Sequence, residues 1–392
     1  MALTRQNRGT GPGVYWEQAP VMQPSQGLRT GVPAFIGHQA DGMKLGEVVV
    51  VRSSADFDAL IRSPETADLS YWYLASAIRG FFENGGSRCL VTFLQDDDIS
   101  SGLSRALEAL DEYEECDLIA APFLAAPDDA EGGTYQQKIL QHCELSSRRF
   151  AILDFLPSCK PGLSAEGRNG AIYYPWVVIR CPSCQGSGRT DSNGCGICGS
   201  TGTLPVPPCG HVAGVYARTD RKLGFFCSPG NEALEGVLDL QSDAVVETLI
   251  DEWVNNLKAL PGRGICVWGA RTLSTDPAWR AIGVRRLFVT IRRWLERTMT
   301  HVVFEPGNPL LWIRITRELT AYLEQLFHVG ALKGGSPTEA FYVKCDEETN
   351  PPEGRNAGEL VVKIGLAPSV PGEFIVIRMV QSADGVTKTA AG

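Results

Sequence analysis

Apolar and polar positions alternate in blocks along this chain, and from residue 31 to residue 268 the blocks predict strands separated by helices. Short apolar runs bounded by glycine or proline are typical of strands that are covered on both faces. We predict such strands at 31–37, 46–51, 89–94, 118–122, 150–155, 171–180 and 264–268. Helical patterns lie between them at 69–83, 103–113, 135–148, 208–218 and 244–257. This alternation predicts an α/β core with a largely parallel sheet and flanking helices.

The last third of the chain has a different pattern. Two long helical stretches cover 284–298 and 310–329, and three strand patterns follow at 340–345, 359–366 and 373–380. This order predicts a C-terminal α+β domain. The two ends are polar and rich in small residues, which is typical of extended arms. We therefore predict an arm at 1–28, an α/β domain at 29–270, an α+β domain at 271–380 and a second arm at 381–392.

Composition and charge exclude several classes of protein. The 392 residues include 44% hydrophobic and 21% charged residues, and the formal net charge is -9. An acidic chain is a poor coat for nucleic acid, because phosphate neutralisation needs a basic surface. The sequence shows neither a secretory signal nor a run of about 20 apolar residues. We therefore expect cytoplasmic folding, no membrane insertion and no direct nucleic-acid partner.

Four of the twelve cysteines form two C-x-x-C pairs, Cys181 with Cys184 and Cys195 with Cys198. Each pair can place two thiolates on one side of a tight turn, and four sulfurs meet the tetrahedral demand of a structural Zn²⁺. We predict one structural zinc ion per chain in an insertion at 181–202. A redox-active dithiol is the alternative.

The neighbouring residues refine this prediction. The first half of the insertion is similar to the C-x-x-C-x-G-x-G repeat of DnaJ-type chaperones, whereas the second half departs from it at Ser200. Cys209 and His211 lie nearby but belong to a helix start, so we do not expect them to be ligands. The remaining prediction is that Cys227, Cys266 and Cys345 are buried small hydrophobic residues.

Five strings spread along the chain resemble the tail sheath proteins of contractile phages and phage-like injection systems. They are GVPAFIG at 31–37, IRGFFENGG at 78–86, PPCGHVAGVYARTD at 207–220, WGARTL at 268–273 and FEPGN at 304–308. The strings occur in the order that the family has. The resemblance implies a core of subtilisin-like topology without catalysis, and a structural subunit of a contractile sheath that drives an inner tube through a target envelope.

The resemblance also implies partners. They are other copies of the chain in a helical or stacked hexameric-ring polymer, an inner tube protein, and baseplate and tail-terminator or cap proteins. Assembly is expected in the cytoplasm, as part of a phage tail or injection particle that is released or anchored. The N-terminal arm carries Val14, Tyr15 and Trp16, which could add to a neighbouring subunit as a strand. A disordered N-terminus is the alternative.

The helix predicted at 284–298 is basic within an acidic protein. Helical spacing places Arg286, Arg293 and Arg297 on one flank. This flank is a candidate contact with the tube or a neighbouring subunit, and a solvated face with internal salt bridges is the alternative. The resemblance places the C-terminal helices nearest the tube, so 284–298 and 310–329 are both candidates for that contact.

Two other functions remain as alternatives to a sheath subunit. One is a zinc-ribbon binding or scaffold protein, and the other is an unrecognised hydrolase. None of the five histidines lies in a recognisable protease motif, and no nucleotide-binding glycine motif is present. We therefore expect no catalytic residues and no enzyme activity.

Overall fold

The computed structural model describes residues 28–38, 47–60, 69–94, 98–122, 132–156, 167–190, 193–241, 253–302, 305–356, 358–369, 375–381 and 387–391. The predicted arm residues Val14, Tyr15 and Trp16 lie outside these ranges.

The strands are β1 (Pro33–His38), β2 (Val48–Val51), β3 (Cys89–Leu94), β4 (Leu118–Ala120), β5 (Phe150–Asp154), β6 (Gly170–Tyr174), β7 (Trp176–Arg180), β8 (Arg189–Thr190), β9 (Asn193–Gly194), β10 (Thr203–Val206), β11 (Asp239–Gln241), β12 (Val254–Leu260), β13 (Gly264–Trp268), β14 (Phe341–Lys344), β15 (Leu360–Leu366), β16 (Ile375–Gln381) and β17 (Thr387–Ala391). The helices are α1 (Ser54–Leu60), α2 (Leu69–Glu83), α3 (Ile99–Leu110), α4 (Gly132–Ser146), α5 (Cys209–Lys222), α6 (Ile282–Met299), α7 (Pro309–His328), α8 (Pro337–Ala340) and α9 (Pro352–Asn356).

An eight-stranded sheet forms the centre of the molecule, in the order β13-β12-β6-β5-β4-β1-β3-β2. The pairs from β12 to β3 are parallel, and the two edge strands β13 and β2 are antiparallel to their neighbours. Side chains alternate between the faces, so that Phe35 belongs to the hydrophobic cluster under α2 and α5 while Ile36 belongs to the cluster under α3 and α4. The predicted α/β core with a largely parallel sheet is confirmed.

Two predictions in the second half of this core are wrong. The stretch 171–180 is two strands, because Pro175 lacks the N–H that a continuous ladder needs. Its halves join different sheets: β6 pairs with β5, whereas β7 pairs with β10 and β11. The helix predicted at 244–257 is also wrong over 254–257, where β12 pairs with β6 and β13.

The C-terminal residues form a four-stranded antiparallel sheet, β14-β15-β16-β17, beside α6 and α7. The two helices share a hydrophobic cluster with β14 and β15. Trp294 of α6 stacks on Tyr322 of α7, with ring centroids 3.9 Å apart. Residues 387–391 of the predicted C-terminal arm form β17, which pairs with β16. Among the described residues, no helix is long and apolar enough to cross a membrane.

Candidate functional site

The cysteine insertion leaves the fold from the end of a hairpin. Strands β7 and β10 are antiparallel, and Arg180 pairs with Thr203 at the hairpin end. Residues 181–202 therefore begin and end side by side. They form two short loops, the first loop at 181–188 and the second loop at 195–202, with β8 and β9 between them.

The two loops repeat the same hydrogen bonds at an offset of 14 residues. In the first loop the Ser187 backbone N–H donates to the Cys184 carbonyl at 3.0 Å, and in the second Thr201 donates to Cys198 at 3.2 Å. The loops also exchange equivalent bonds, since Cys181 N donates to the carbonyl of Gly202 and Cys195 N to that of Gly188, both at 2.9 Å. The insertion is therefore an internal repeat of two turns that hold each other.

The glycines of the repeat are required by this close approach. Gly188 has φ +72°, and a Cβ there would lie 2.4 Å from the Ser200 carbonyl oxygen. Gly202 is its equivalent, with φ +79° and a Cβ position 2.5 Å from the Gly186 oxygen. Ser200, where the repeat departs from the chaperone pattern, adopts the same left-handed region as its counterpart Gly186, at φ +66°.

The four cysteine sulfurs converge between the loops. Cys181 and Cys195 Sγ are 3.9 Å apart, Cys184 and Cys198 Sγ are 3.7 Å apart, and all four lie within 4.8 Å of one another. A tetrahedral zinc ion with Zn–S bonds of about 2.3 Å needs sulfur–sulfur edges of about 3.8 Å. All four residues are buried, and the arrangement fits a metal ion.

Backbone N–H groups supply positive charge density to two of the sulfurs. Gly188 N donates to Cys184 Sγ and Gly202 N donates to Cys198 Sγ, each at 3.3 Å. Such bonds favour the thiolate, which is the form that binds metal. The donors are equivalent residues of the repeat, so each loop brings its own support for one ligand.

The thiols of the cluster do not titrate alike. Burial acts to raise the pKa of Cys195, but hydrogen bonds from the backbone N–H groups of Cys198 and Ile197 outweigh it and lower the pKa to about 6. Burial raises the pKa of Cys181 to about 12. A metal ion held by these four sulfurs would require all of them as thiolates, because cysteine binds metal in its deprotonated form.

The other cysteines and histidines agree with the sequence analysis only in part. Cys209 and His211 lie on α5, outside the four-sulfur cluster. Cys266 is buried as predicted, whereas Cys227 and Cys345 are only partly buried.

Arg286 binds two carboxylates in the interior. Its Nη1 and Nη2 atoms donate to Asp220 at 2.5 and 2.6 Å, and Nη2 also donates to Asp117 at 3.0 Å. All three side chains are at most 3% exposed. Burial raises the pKa of Asp220 although Arg286 acts to lower it. This buried triad joins the C-terminal helix α6 to α5 and to the start of β4.

The triad also holds the point where the N-terminal segment enters the fold. Asp117 accepts the backbone N–H groups of Gly31 and Val32 at 3.0 and 2.7 Å. Arg293, about two helical turns beyond Arg286, donates to the Arg29 carbonyl at 3.2 Å. We call residues 29–32 the arm root.

The prediction of an outward basic flank on α6 is therefore wrong for Arg286 and Arg293. Both guanidinium groups are buried, that of Arg286 against two carboxylates and that of Arg293 against backbone carbonyls, so neither lies on an outward face of the helix. Arg297 is exposed, as predicted. Asp117 and Asp220 were not predicted as partners. The signal was available, since the apolar residues Ile282 and Val289 lie about one helical turn on either side of Arg286, and buried charges are usually paired.

Helix α7 differs from α6 in what it exposes. Arg297 is the one exposed residue of α6, whereas Leu310 and Ile313 of α7 are 77% and 66% exposed. Arg317 continues the same exposed face at helical spacing. Of the two helices that the sequence offered as contact candidates, α7 therefore presents apolar side chains that no described residue covers.

The sequence is similar to known phage tail sheath proteins. A family model of the phage tail sheath C-terminal domain matches residues 274–382. The tail sheath protein of Salmonella phage ViI is 27% identical over 171 residues, which are 42% of this chain and 26% of that protein. The match thus spans about a quarter of that relative's length.

Solved structures match over nearly the whole chain. A subunit of the anti-feeding prophage helical sheath in the contracted state is 28% identical, with a TM-score of 0.70, and the match covers 93% of this chain and 97% of that one. The sheath of the extracellular contractile injection system PVC, also contracted, has a TM-score of 0.67 at 24% identity and covers 97% and 100%, which shows a shared fold. The C-terminal domain match and the near-complete likeness to sheath subunits together support a contractile tail sheath protein.

Proposed function

We propose that this chain is a structural subunit of a contractile sheath that polymerises around an inner tube and drives it through a target envelope. The observation that carries the proposal is the likeness to a contracted helical sheath subunit over 93% of this chain at 28% identity. Contraction releases free energy because each subunit gains contacts with its neighbours, and a small gain per subunit is multiplied by the number of copies.

The partners follow from this role. They are other copies of the chain in a helical or stacked hexameric-ring polymer, baseplate and cap proteins, and the inner tube protein. The particle assembles in the cytoplasm. A related structure comes from a baseplate of the anti-feeding prophage, and its chain is 28% identical to this one. The arm with Val14, Tyr15 and Trp16 remains a candidate strand for a neighbouring subunit.

Electron microscopy of the purified protein tests the assembly. We expect hollow cylinders with helical striations. Monodisperse monomers under all assembly conditions would contradict the proposed function.

The inner tube contact is assigned to α7 and not to α6. Its exposed Leu310 and Ile313 would lose solvent on docking, at roughly 25 cal/mol per Å² of apolar area. Leu310→Asp should abolish retention of purified tube protein by assembled sheath. Leu145→Asp is the matched control, because Leu145 of α4 is also 77% exposed. Equal tube retention by both variants would refute the assignment.

The cysteine cluster is proposed to hold one structural Zn²⁺ per chain through Cys181, Cys184, Cys195 and Cys198. The bound ion would supply folding free energy to an excursion with little core of its own. Elemental analysis should find about one zinc per chain, with loss in Cys181→Ser and Cys195→Ser but not in Cys227→Ser, whose thiol lies outside the cluster. Metal-free wild-type protein with a disulfide in each loop would favour the redox dithiol instead.

A further inference from the structure

A polar cavity of about 90 Å³ lies beside the arm root. A water molecule needs about 10–15 Å³ by the same measure, so the cavity can hold several waters or one small polyatomic ion. Four arginines contribute to its wall, namely Arg148, Arg149, Arg293 and Arg297.

Two of these arginines already have carboxylate partners. Arg148 binds Glu296 at 2.5 Å, and Arg149 binds Asp111 at 2.5 Å. Glu296 is further neutralised by Arg292 at 3.0 Å. The acidic side chains Glu296 and Asp111 on the wall are thus occupied by arginines.

Arg293 and Arg297 have no carboxylate partner among the described residues. Glu114 is the remaining acid on the wall, and its side chain is exposed while its carbonyl accepts a hydrogen bond from Arg293 at 2.7 Å. The cavity therefore has an excess of positive charge.

The burial of Arg293 makes this excess of positive charge destabilising for the fold. Its residue is 5% exposed, its Nη2 atom donates only to backbone carbonyls, and its Nη1 atom has no acceptor in the part of the chain that the structure describes. A buried charge without an opposite charge destabilises the fold, and an unsatisfied buried donor adds to the loss. Arg149, on the same wall, also has an Nε atom without an acceptor.

We propose that this cavity is a binding site for a small oxyanion, held by Arg293 from the interior and Arg297 from the rim. Guanidinium groups bind carboxylate and phosphate oxygens through charge-assisted hydrogen bonds. The anion comes from one of two sources that share this chemistry: free inorganic phosphate, or a carboxylate side chain of a second copy of this chain. In either case it connects α6 to the arm root, since Arg293 also binds the Arg29 carbonyl.

Isothermal titration calorimetry of the unassembled full chain with inorganic phosphate tests the site, with chloride keeping the ionic strength constant. Wild type should bind one phosphate saturably. Arg297→Gln should bind about tenfold more weakly, as expected for a charged hydrogen-bond donor. Arg297 is exposed, so this variant should fold normally. Arg52→Gln, at an exposed arginine outside the cavity wall, should bind like wild type.

Absence of saturable binding by wild type would overturn the proposal, and so would equal binding by Arg297→Gln. A second experiment identifies the source of the anion, and this experiment rests on the proposed sheath function. If a neighbour's carboxylate occupies the cavity in the polymer, phosphate in place of chloride should slow sheath assembly. Assembly at an unchanged rate assigns the site to the free anion. A chain that does not assemble at all refutes the sheath function and leaves the calorimetric result intact.

Discussion

Arg286→Met should destabilise the unassembled protein by about 3–5 kcal/mol at pH 7, the range for breaking a buried ion pair on one side. The side chain of methionine fills much of the same space without a charge. The substitution leaves Asp117 and Asp220 buried at no more than 3% exposure with no cation. It also removes three hydrogen bonds of 2.5 to 3.0 Å.

The loss should depend on pH in a defined direction. Burial already raises the pKa of Asp220, and loss of the guanidinium raises it further. A carboxyl whose pKa is higher in the folded state stabilises the fold at low pH and loses that contribution as the pH rises. The difference between Arg286→Met and wild type should therefore be smaller at pH 5 than at pH 8.

Urea denaturation followed by tryptophan fluorescence measures the effect. The matched control is Arg297→Met on the same helix, which should change the free energy of unfolding by no more than about 0.5 kcal/mol because Arg297 is exposed. If Arg286→Met unfolds within about 1 kcal/mol of wild type at pH 7, the buried triad does not stabilise the fold as argued.

Three further changes test other parts of the structure. Burial raises the pKa of Asp154 to about 7, so Asp154→Asn should reduce the fall in stability that this carboxyl causes between about pH 4 and pH 7, as measured by denaturation across that range. A Cβ at Gly80 would lie 2.5 Å from the His211 ring, and Gly80→Ala should lower the free energy of unfolding by about 1–3 kcal/mol. Its control is Gly196→Ala, where nothing lies within 4 Å and no loss is expected. Gly188→Ala should make zinc release to a chelator faster than in wild type, because the new Cβ meets the second loop's backbone, and an unchanged release rate would contradict the proposed loop packing.

The sequence was most informative where one local pattern determines the structure. The continuous apolar runs of β3 and β5 predicted buried strands because a strand covered on both faces has no polar side. The C-x-x-C spacing predicted the sulfur cluster because four ligands at those separations have few other arrangements. These features depend on residues close together in the chain.

The prediction errors arose where contacts between residues far apart in the sequence determine the local structure. Residues 254–257 became a strand because β6 offers a parallel edge 82 residues earlier, an interaction that helical periodicity does not record. Arg286 was placed on a surface flank because its partners, Asp117 and Asp220, lie 169 and 66 residues away. The sequence showed the two cysteine halves and the departure at Ser200, but not that Ser200 adopts the same left-handed backbone conformation as Gly186, because residue type alone does not fix φ.

The position of β1 has a mechanical consequence for a subunit of the proposed contractile sheath. The N-terminal segment joins this strand at the arm root, and β1 lies between β4 and β3 and is parallel to both. A pull on that segment along the strand axis would load the hydrogen bonds on both sides of β1 in shear, all at once, and would not peel them one by one. A tether attached to an edge strand would unzip at lower force. The proposed N-terminal link to a neighbouring subunit would thus join the fold at a place suited to bear tension.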